Sequence, residues 1–164
     1  MTVAMQQLIL AMQQLTDTFH DAVFRACDVD AAMAVVAGTG ICESVPVHGP
    51  LAGDALRRHL TDDVLPHLPA DLSFRRVSRT ADIRKLVDER VVEFTHDREL
   101  PWLLPGVAPT HRRAEVLAIS VVSFTHRTRT AVTTSAISSH RTLWDHTTLL
   151  AQLGVTAHVV RCTA

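Results

Sequence analysis

His96 and Asp97 stand side by side at the end of the run VVEFTHD, and Arg141 and Asp145 stand four apart in HRTLWDH. These residue types suit proton transfer. An imidazole gives or takes a proton near neutral pH, and a carboxylate does so when an apolar wall raises its pKa. A guanidinium holds an oxyanion. Strand alternation sorts the candidates. Arg90, Val92, Phe94 and His96 share one face, and Val91, Glu93, Thr95 and Asp97 the other. The first face is the more apolar and is expected to line a cavity, with Phe94 shaping it and His96 held neutral as a proton acceptor. A half-buried histidine bonded to a backbone carbonyl is the plainer alternative. Asp97 either supports a substrate or closes an Asx-type turn. Farther on, Arg141, Leu143 and Asp145 share a face, and His140, Thr142, Trp144 and His146 the other. Turned toward the cavity, Arg141 would keep Asp145 ionised or bind an oxyanion. The alternatives are a strand-end ion pair, or an N-cap for a helix beginning in DHTTLL.

Between these two groups lies PWLLPGVAPT. Pro101, Pro105 and Pro109 stiffen it, Gly106 permits a turn, and Trp102, Leu103 and Leu104 demand burial. Trp102 is thus a candidate pocket wall. The loop is a lid that excludes water, a plug completing the core, or a dimer contact, and the sequence leaves these open. His48, in VPVHGP, is a candidate at the pocket rim. Other constellations fail: GxSxG, HExxH, GxxxxGK[ST] and GxGxxG are absent. His140 and His146 share a face, but six strand residues separate them by roughly 20 Å, too far for one metal ion. No metal and no cofactor is expected.

The elements that must position these residues follow from periodicity. AMQQL occurs at Ala4–Leu8 and again at Ala11–Leu15, which places Leu8, Met12, Leu15 and Phe19 on one stripe of a first helix reaching about Cys27. Two heptads are too few for a coiled coil. DVDAAMAVVAGTG predicts a second helix, capped at Asp28 or Asp30 and stopped by Gly38. ICESVPVHGP reads as a short strand running into a loop, and LAGDALRRHLTDDVLPHL as a third helix ended by Pro66 and Pro69. LSFRRVSRT, KLVDERVVEFTHD, RAEVLAISVVSFTHR and TAVTTSAISSHRTLWD are alternating, β-branched segments, expected as long antiparallel strands. The tail HTTLLAQLGVTAHVV closes the fold as a short helix or an edge segment. Helices followed by strands predict an α+β fold, with three N-terminal helices on a strongly curved, mostly antiparallel sheet that encloses a pocket.

Composition agrees. Residues 1–164 are expected to form one domain, with 47% apolar and 20% charged residues and a net charge of −1. Nothing in that balance predicts a nucleic acid or a membrane surface as partner. Cys27, Cys42 and Cys162 lack metal or CxxC spacing and are expected as free thiols in a reducing compartment. The N-terminal run has no basic n-region or cleavage site, and glutamine pairs interrupt its apolar stretches. A cytoplasmic location is expected.

Order and motifs together resemble the NTF2-like superfamily, specifically its SnoaL-like, polyketide-cyclase-like proteins. The stretch from about Ser44 to Gly154 carries the likeness, through VPVHGPLAGDALRRHL, LPHLPADLSFRRVSRT, VDERVVEFTHDRELPWLLPGVAPT and LWDHTTLLAQLG. The resemblance implies a cone whose sheet wraps an apolar pocket, and homodimerisation through the outer sheet face. In related cyclases the last-strand motif reads closer to Glu-His-Ile-Tyr-Trp-Asp-Gln, with its Asp as the acid/base. Here Trp144 and Asp145 are kept, while His140, Arg141, Leu143 and His146 are replacements, and the chain has no tyrosine. Residues and resemblance together suggest a cofactor-independent cyclase or isomerase of an apolar polyketide- or terpenoid-type intermediate. Asp145 and His96 would be its proton-transfer pair. A non-catalytic binding or dimerisation module would instead pair Asp145 with Arg141 and fill the pocket with side chains. A third possibility, an epoxide or lactone hydrolase, would need an ordered water beside Asp145.

Overall fold

The computed structural model describes residues 2–129 and 132–155. Cys162 and the last part of the closing tail, from Thr156 on, lie outside the described residues. Helix α1 (Val3–Asp21) begins where the Thr2 hydroxyl accepts a hydrogen bond from the Met5 N–H. Met12, Thr16 and Phe19 form its buried stripe, flanked by the partly buried Leu8 and Leu15. A π-helical turn (Ala22–Ala26) extends it, and Cys27 ends it in a left-handed conformation. Asp28 caps α2 (Val29–Ala34) through the Ala31 N–H. Helix α3 (Gly53–Arg58) continues through a π-helical turn (His59–Val64) into a 3₁₀ turn (Leu65–His67).

Six strands follow the expected α+β plan: β1 (Val36–Val45), β2 (His48–Ala52), β3 (Ser73–Ala81), β4 (Lys85–Thr95), β5 (Arg113–Arg129) and β6 (Val132–Trp144). They form one open sheet in the order β2-β1-β6-β5-β4-β3, antiparallel throughout except where β1 runs parallel to β6. Helix α4 (His146–Leu153) ends at left-handed Gly154. Helix α1 packs on β6, α3 on β1 and β2, and α4 on β5.

Two expectations are corrected here. The second helix does not reach Gly38, because the chain is already extended from Val36. Gly40 is there for close strand approach: a Cβ on it would lie 2.7 Å from the Ile137 carbonyl oxygen. VPVHGP is not a loop but the turn and second strand of a hairpin, with Ser44 opposite His48 and Cys42 opposite Leu51.

Two bulges set which side chains face inward. On β3, Arg76 pairs with Arg90 and Ser78 with Glu89, so Val77 is the extra residue. Arg76 and Arg79 therefore face the same side although they are three residues apart. On β6, Ile137 pairs with Phe124 and Ser139 with Ser123, which leaves Ser138 as the insertion. Before it the odd position Ile137 is inward; after it the even positions are. The inner face carries Leu86, Val92, Phe94, Val122 and Ile137, all essentially inaccessible to solvent. Each contributes about 1.5–3 kcal/mol by burial.

The β4–β5 connection completes this core. Leu100, Trp102, Leu103 and Leu104 are buried, and the Leu103 and Leu104 N–H groups donate to the Leu100 carbonyl. The Leu103 carbonyl in turn lies 3.0 Å from the His146 ring. Of the three roles open to PWLLPGVAPT, the structure gives it that of a core plug.

Candidate functional site

Between the C-terminal half of α1 and the inner face of β3–β6 lies an aromatic cavity of about 50 Å³. Helix α1 contributes Phe19 and His20, its π turn Phe24, β3 Phe74, β4 Asp88, Arg90 and Val92, and β6 His140, Thr142 and Trp144. A second chamber of about 90 Å³ shares Phe19, Phe24, His140, Thr142 and Trp144 as its wall and is closed by His48, His59, Leu56 and Trp102. Trp144 is held between the two, with its indole N–H donating to Ser44 Oγ at 2.8 Å. Its ring meets Trp102 at 6.0 Å.

The polar groups fall into two sets. The first is a charge network at the cavity floor. Asp88 is all but inaccessible, and its carboxylate accepts from Arg76 Nε (3.0 Å), Arg79 Nε (3.2 Å), Arg79 Nη2 (2.7 Å) and Arg90 Nε (2.8 Å). All four acceptor positions of a carboxylate are thus occupied. Burial acts to raise the Asp88 pKa, but the bonds and charges of Arg79 and Arg90 outweigh it, and the group stays ionised below the usual carboxylate range. Asp17, from α1, joins the same three guanidiniums. Asp88 is therefore no proton shuttle: it has no lone pair to offer, and it fixes Arg90 at the cavity edge.

The second set is a pair of uncharged imidazoles. Burial, reinforced by the Arg90 charge, pushes His20 down to about 3 and His140 down to about 4. His20 packs edge-on against Phe74 at 4.4 Å, and His140 lies 5.1 Å from the Phe19 ring. The buried Nε2 of His20 has no protein partner among the described residues. An uncharged imidazole carries one N–H donor and one lone pair, so each can bond a carbonyl oxygen or accept a proton.

The expected pair is not brought together. Asp145 is exposed; its carboxylate caps α4 by accepting the Thr148 N–H at 3.2 Å, and hydrogen bonding from the Thr148 side chain and N–H holds its pKa low. Arg141 is exposed and paired with Glu43, not with Asp145, and Leu143 is 39% exposed. All three sit on the outer face because the bulge at Ser138 reverses the alternation, leaving His140, Thr142 and Trp144 inside. His96 is on the apolar face as expected, but it lies wholly buried beneath the plug. Its Nδ1 accepts the Thr110 N–H at 3.3 Å, and its Nε2 has no protein partner among the described residues. Burial lowers its pKa.

Phe94 is core packing and not a cavity wall. Asp97 is ion-paired with Arg98 at 2.9 Å on the surface. Trp102 and His48 do line the second chamber, and Arg90 and Val92 the first. His20, His140 and Asp88 escaped the sequence reading. The signal for Asp88 was present, since an Asp followed two residues later by an Arg on the apolar face of a strand needs buried partners. Among the described residues, no three His, Cys, Asp or Glu side chains converge as a metal site. No described helix is long and apolar enough to cross a membrane.

No family model matches the chain, and no curated protein matches it in sequence. Solved structures do. IdmH, a proposed polyketide cyclase from Streptomyces antibioticus, is 20% identical with a TM-score of 0.59, covering 87% of this chain and 99% of its own. A proposed SnoaL-like polyketide cyclase from a Jannaschia species is 10% identical with a TM-score of 0.61, covering 86% and 92%. An LEH-like epoxide hydrolase from M. tuberculosis is 13% identical with a TM-score of 0.58, covering 92% and 91%. Helices on an open, mostly antiparallel six-stranded sheet, together with these likenesses, give the chain the NTF2-like fold of SnoaL-like proteins.

Proposed function

We propose that the chain is a cofactor-independent isomerase or cyclase of small apolar carbonyl compounds, of the kind that arise as polyketide- or terpenoid-type intermediates. One observation carries this reading: two uncharged imidazoles, His20 and His140, line a single aromatic cavity. One imidazole accepts a proton from the carbon next to a carbonyl, and the N–H of the other bonds the carbonyl oxygen as the enolate forms. Return of the proton to a different carbon completes an isomerisation. Attack of the enolate carbon on a second carbonyl, with the proton passed to the new alkoxide, completes a cyclisation. Both need only proton relocation and a held conformation. The polyketide cyclases among the similar structures support the substrate class. The outer sheet face is assigned to homodimerisation.

The narrowness of the chambers favours a second reading, a binding module without turnover. One experiment separates the two: deuterium wash-in next to the carbonyl of α-tetralone in heavy water, followed by mass spectrometry. Wild type is expected to exceed the buffer rate, and His140→Phe and His20→Phe to lower that excess by about 10²–10⁴-fold. Asp145→Ala, which removes only a helix cap, keeps it. Wash-in no faster than buffer, or equal losses in His140→Phe and Asp145→Ala, would overturn the catalytic assignment.

A further inference from the structure

Beside the aromatic cavity, where the end of α1 crosses β3 and β4, an open cleft of about 270 Å³ is lined by Asp17, His20, Asp21, Arg25, Arg76 and Arg90, with Phe74. His20, Phe74 and Arg90 line both spaces, so cleft and cavity adjoin. The cleft and the network behind it hold four guanidiniums (Arg25, Arg76, Arg79, Arg90) against three carboxylates (Asp17, Asp21, Asp88), a surplus of one positive charge. The guanidiniums are not equally committed. Arg79 spends Nε, Nη1 and Nη2 on Asp17 and Asp88. Arg76 uses Nε on Asp88 and Nη2 on Asp17, whereas Arg90 sets Nε and Nη2 against Asp88 and reaches Asp17 with Nη2 only at 3.4 Å; Nη1 of each has no hydrogen-bond partner among the described residues.

We propose that this cleft is a carboxylate subsite, and that the molecule bound here is an aromatic or polycyclic monocarboxylic acid. Its carboxylate sits on Nη1 of Arg76 and Arg90, and its apolar body enters the aromatic cavity past His20 and Phe74. Two uncommitted donors on neighbouring planar guanidiniums match the two oxygens of a carboxylate, and one negative charge cancels the surplus. A dianion would overshoot it and meet Asp17 and Asp21. The assignment rests on the aromatic cavity being the ligand site. It also adds to the chemistry proposed there. After burial, the Arg90 charge depresses both imidazoles most, Asp88 opposes it less strongly, and Arg25 adds a smaller depression at His20. A bound carboxylate offsets that positive field, so the acid itself makes His20 and His140 better bases.

The test is calorimetric titration of the full chain with naphthoate and with its methyl ester. The acid is expected to bind at least about tenfold more tightly than the ester, with the gap narrowing as salt rises. Arg76→Gln should abolish the preference while leaving ester affinity unchanged. If Arg76→Gln does not fold, the acid–ester comparison at low and high salt on the wild type decides alone. Equal affinities in the wild type, or a preference that survives Arg76→Gln, overturn the carboxylate subsite and leave the cavity standing as a ligand site. Binding of neither compound overturns both.

Discussion

His140 lines the cavity uncharged, and that has a consequence for stability. Its pKa in the fold is pushed down to about 4, against an unfolded value of 6.5. Between those limits the unfolded chain binds the proton and the folded chain does not. Stability is therefore fully present above pH 6.5 and is lost as pH falls toward 4, by roughly 3 kcal/mol from this one group. His20 acts in the same direction. Asp17 and Asp88, whose pKa values are lowered, add a further loss that begins as pH falls through the ordinary carboxylate value of 3.8 and continues down to their folded values. Urea midpoints at pH 7, 5.5 and 4.5 are expected to fall steeply for wild type and less steeply for His140→Phe. Parallel curves would show that His140 is charged in the fold. This residue was hidden in the sequence for a specific reason. The two faces of HRTLWDH were separable by alternation, but choosing between them required knowing that Ser138 is inserted, and a one-residue bulge leaves no mark on composition. His140 is also one of the replacements in the last-strand motif of the cyclases that the chain resembles.

At the scale of elements, the long strands were legible because β-branched alternation over nine or more residues has few competing explanations. The first strand was not. AVVAGTG carries Gly38, which reads as a helix stop, whereas the next glycine, Gly40, serves the close approach of β1 to β6. The proline-rich connection between β4 and β5 was legible in composition but not in role, since an apolar loop looks the same as lid, plug or interface. Burial decides it. Leu103 is completely inaccessible and its backbone carbonyl meets the His146 ring, which ties the plug to the start of α4. Leu103→Ala is expected to cost about 2–5 kcal/mol, as a cavity in a packed core does. The Leu103 and Leu104 amides should exchange with solvent only through global unfolding. A movable lid would instead show fast exchange at these amides and a small loss on truncation, and hydrogen-exchange mass spectrometry with denaturant titration separates the two.

For the whole molecule, the sheet has one face committed and one left over. The inner face supplies the core and both chambers, while the outer face of the central strands aligns apolar pairs: Val87 with Val121, Val91 with Leu117, and Ile119 with Leu143. Val87 and Leu143 are each 39% exposed, Glu89 stands opposite Ile119 between Val87 and Val91, and Arg141 stands opposite Val121. An apolar band that carries one charge of each sign suits a self-complementary contact, in which a two-fold axis sets each copy's strip against the other. Wild type is expected to sediment as a dimer at micromolar concentration and Val121→Glu as a monomer, because the axis would bring like charges from both copies together in an apolar contact. A wild type that sediments as a monomer at every concentration refutes the contact. The same variant also separates assembly from chemistry. Every residue assigned to proton transfer and to carboxylate binding comes from the inner side of one chain. The Val121→Glu monomer should therefore keep both the deuterium wash-in and the preference for the acid over its ester.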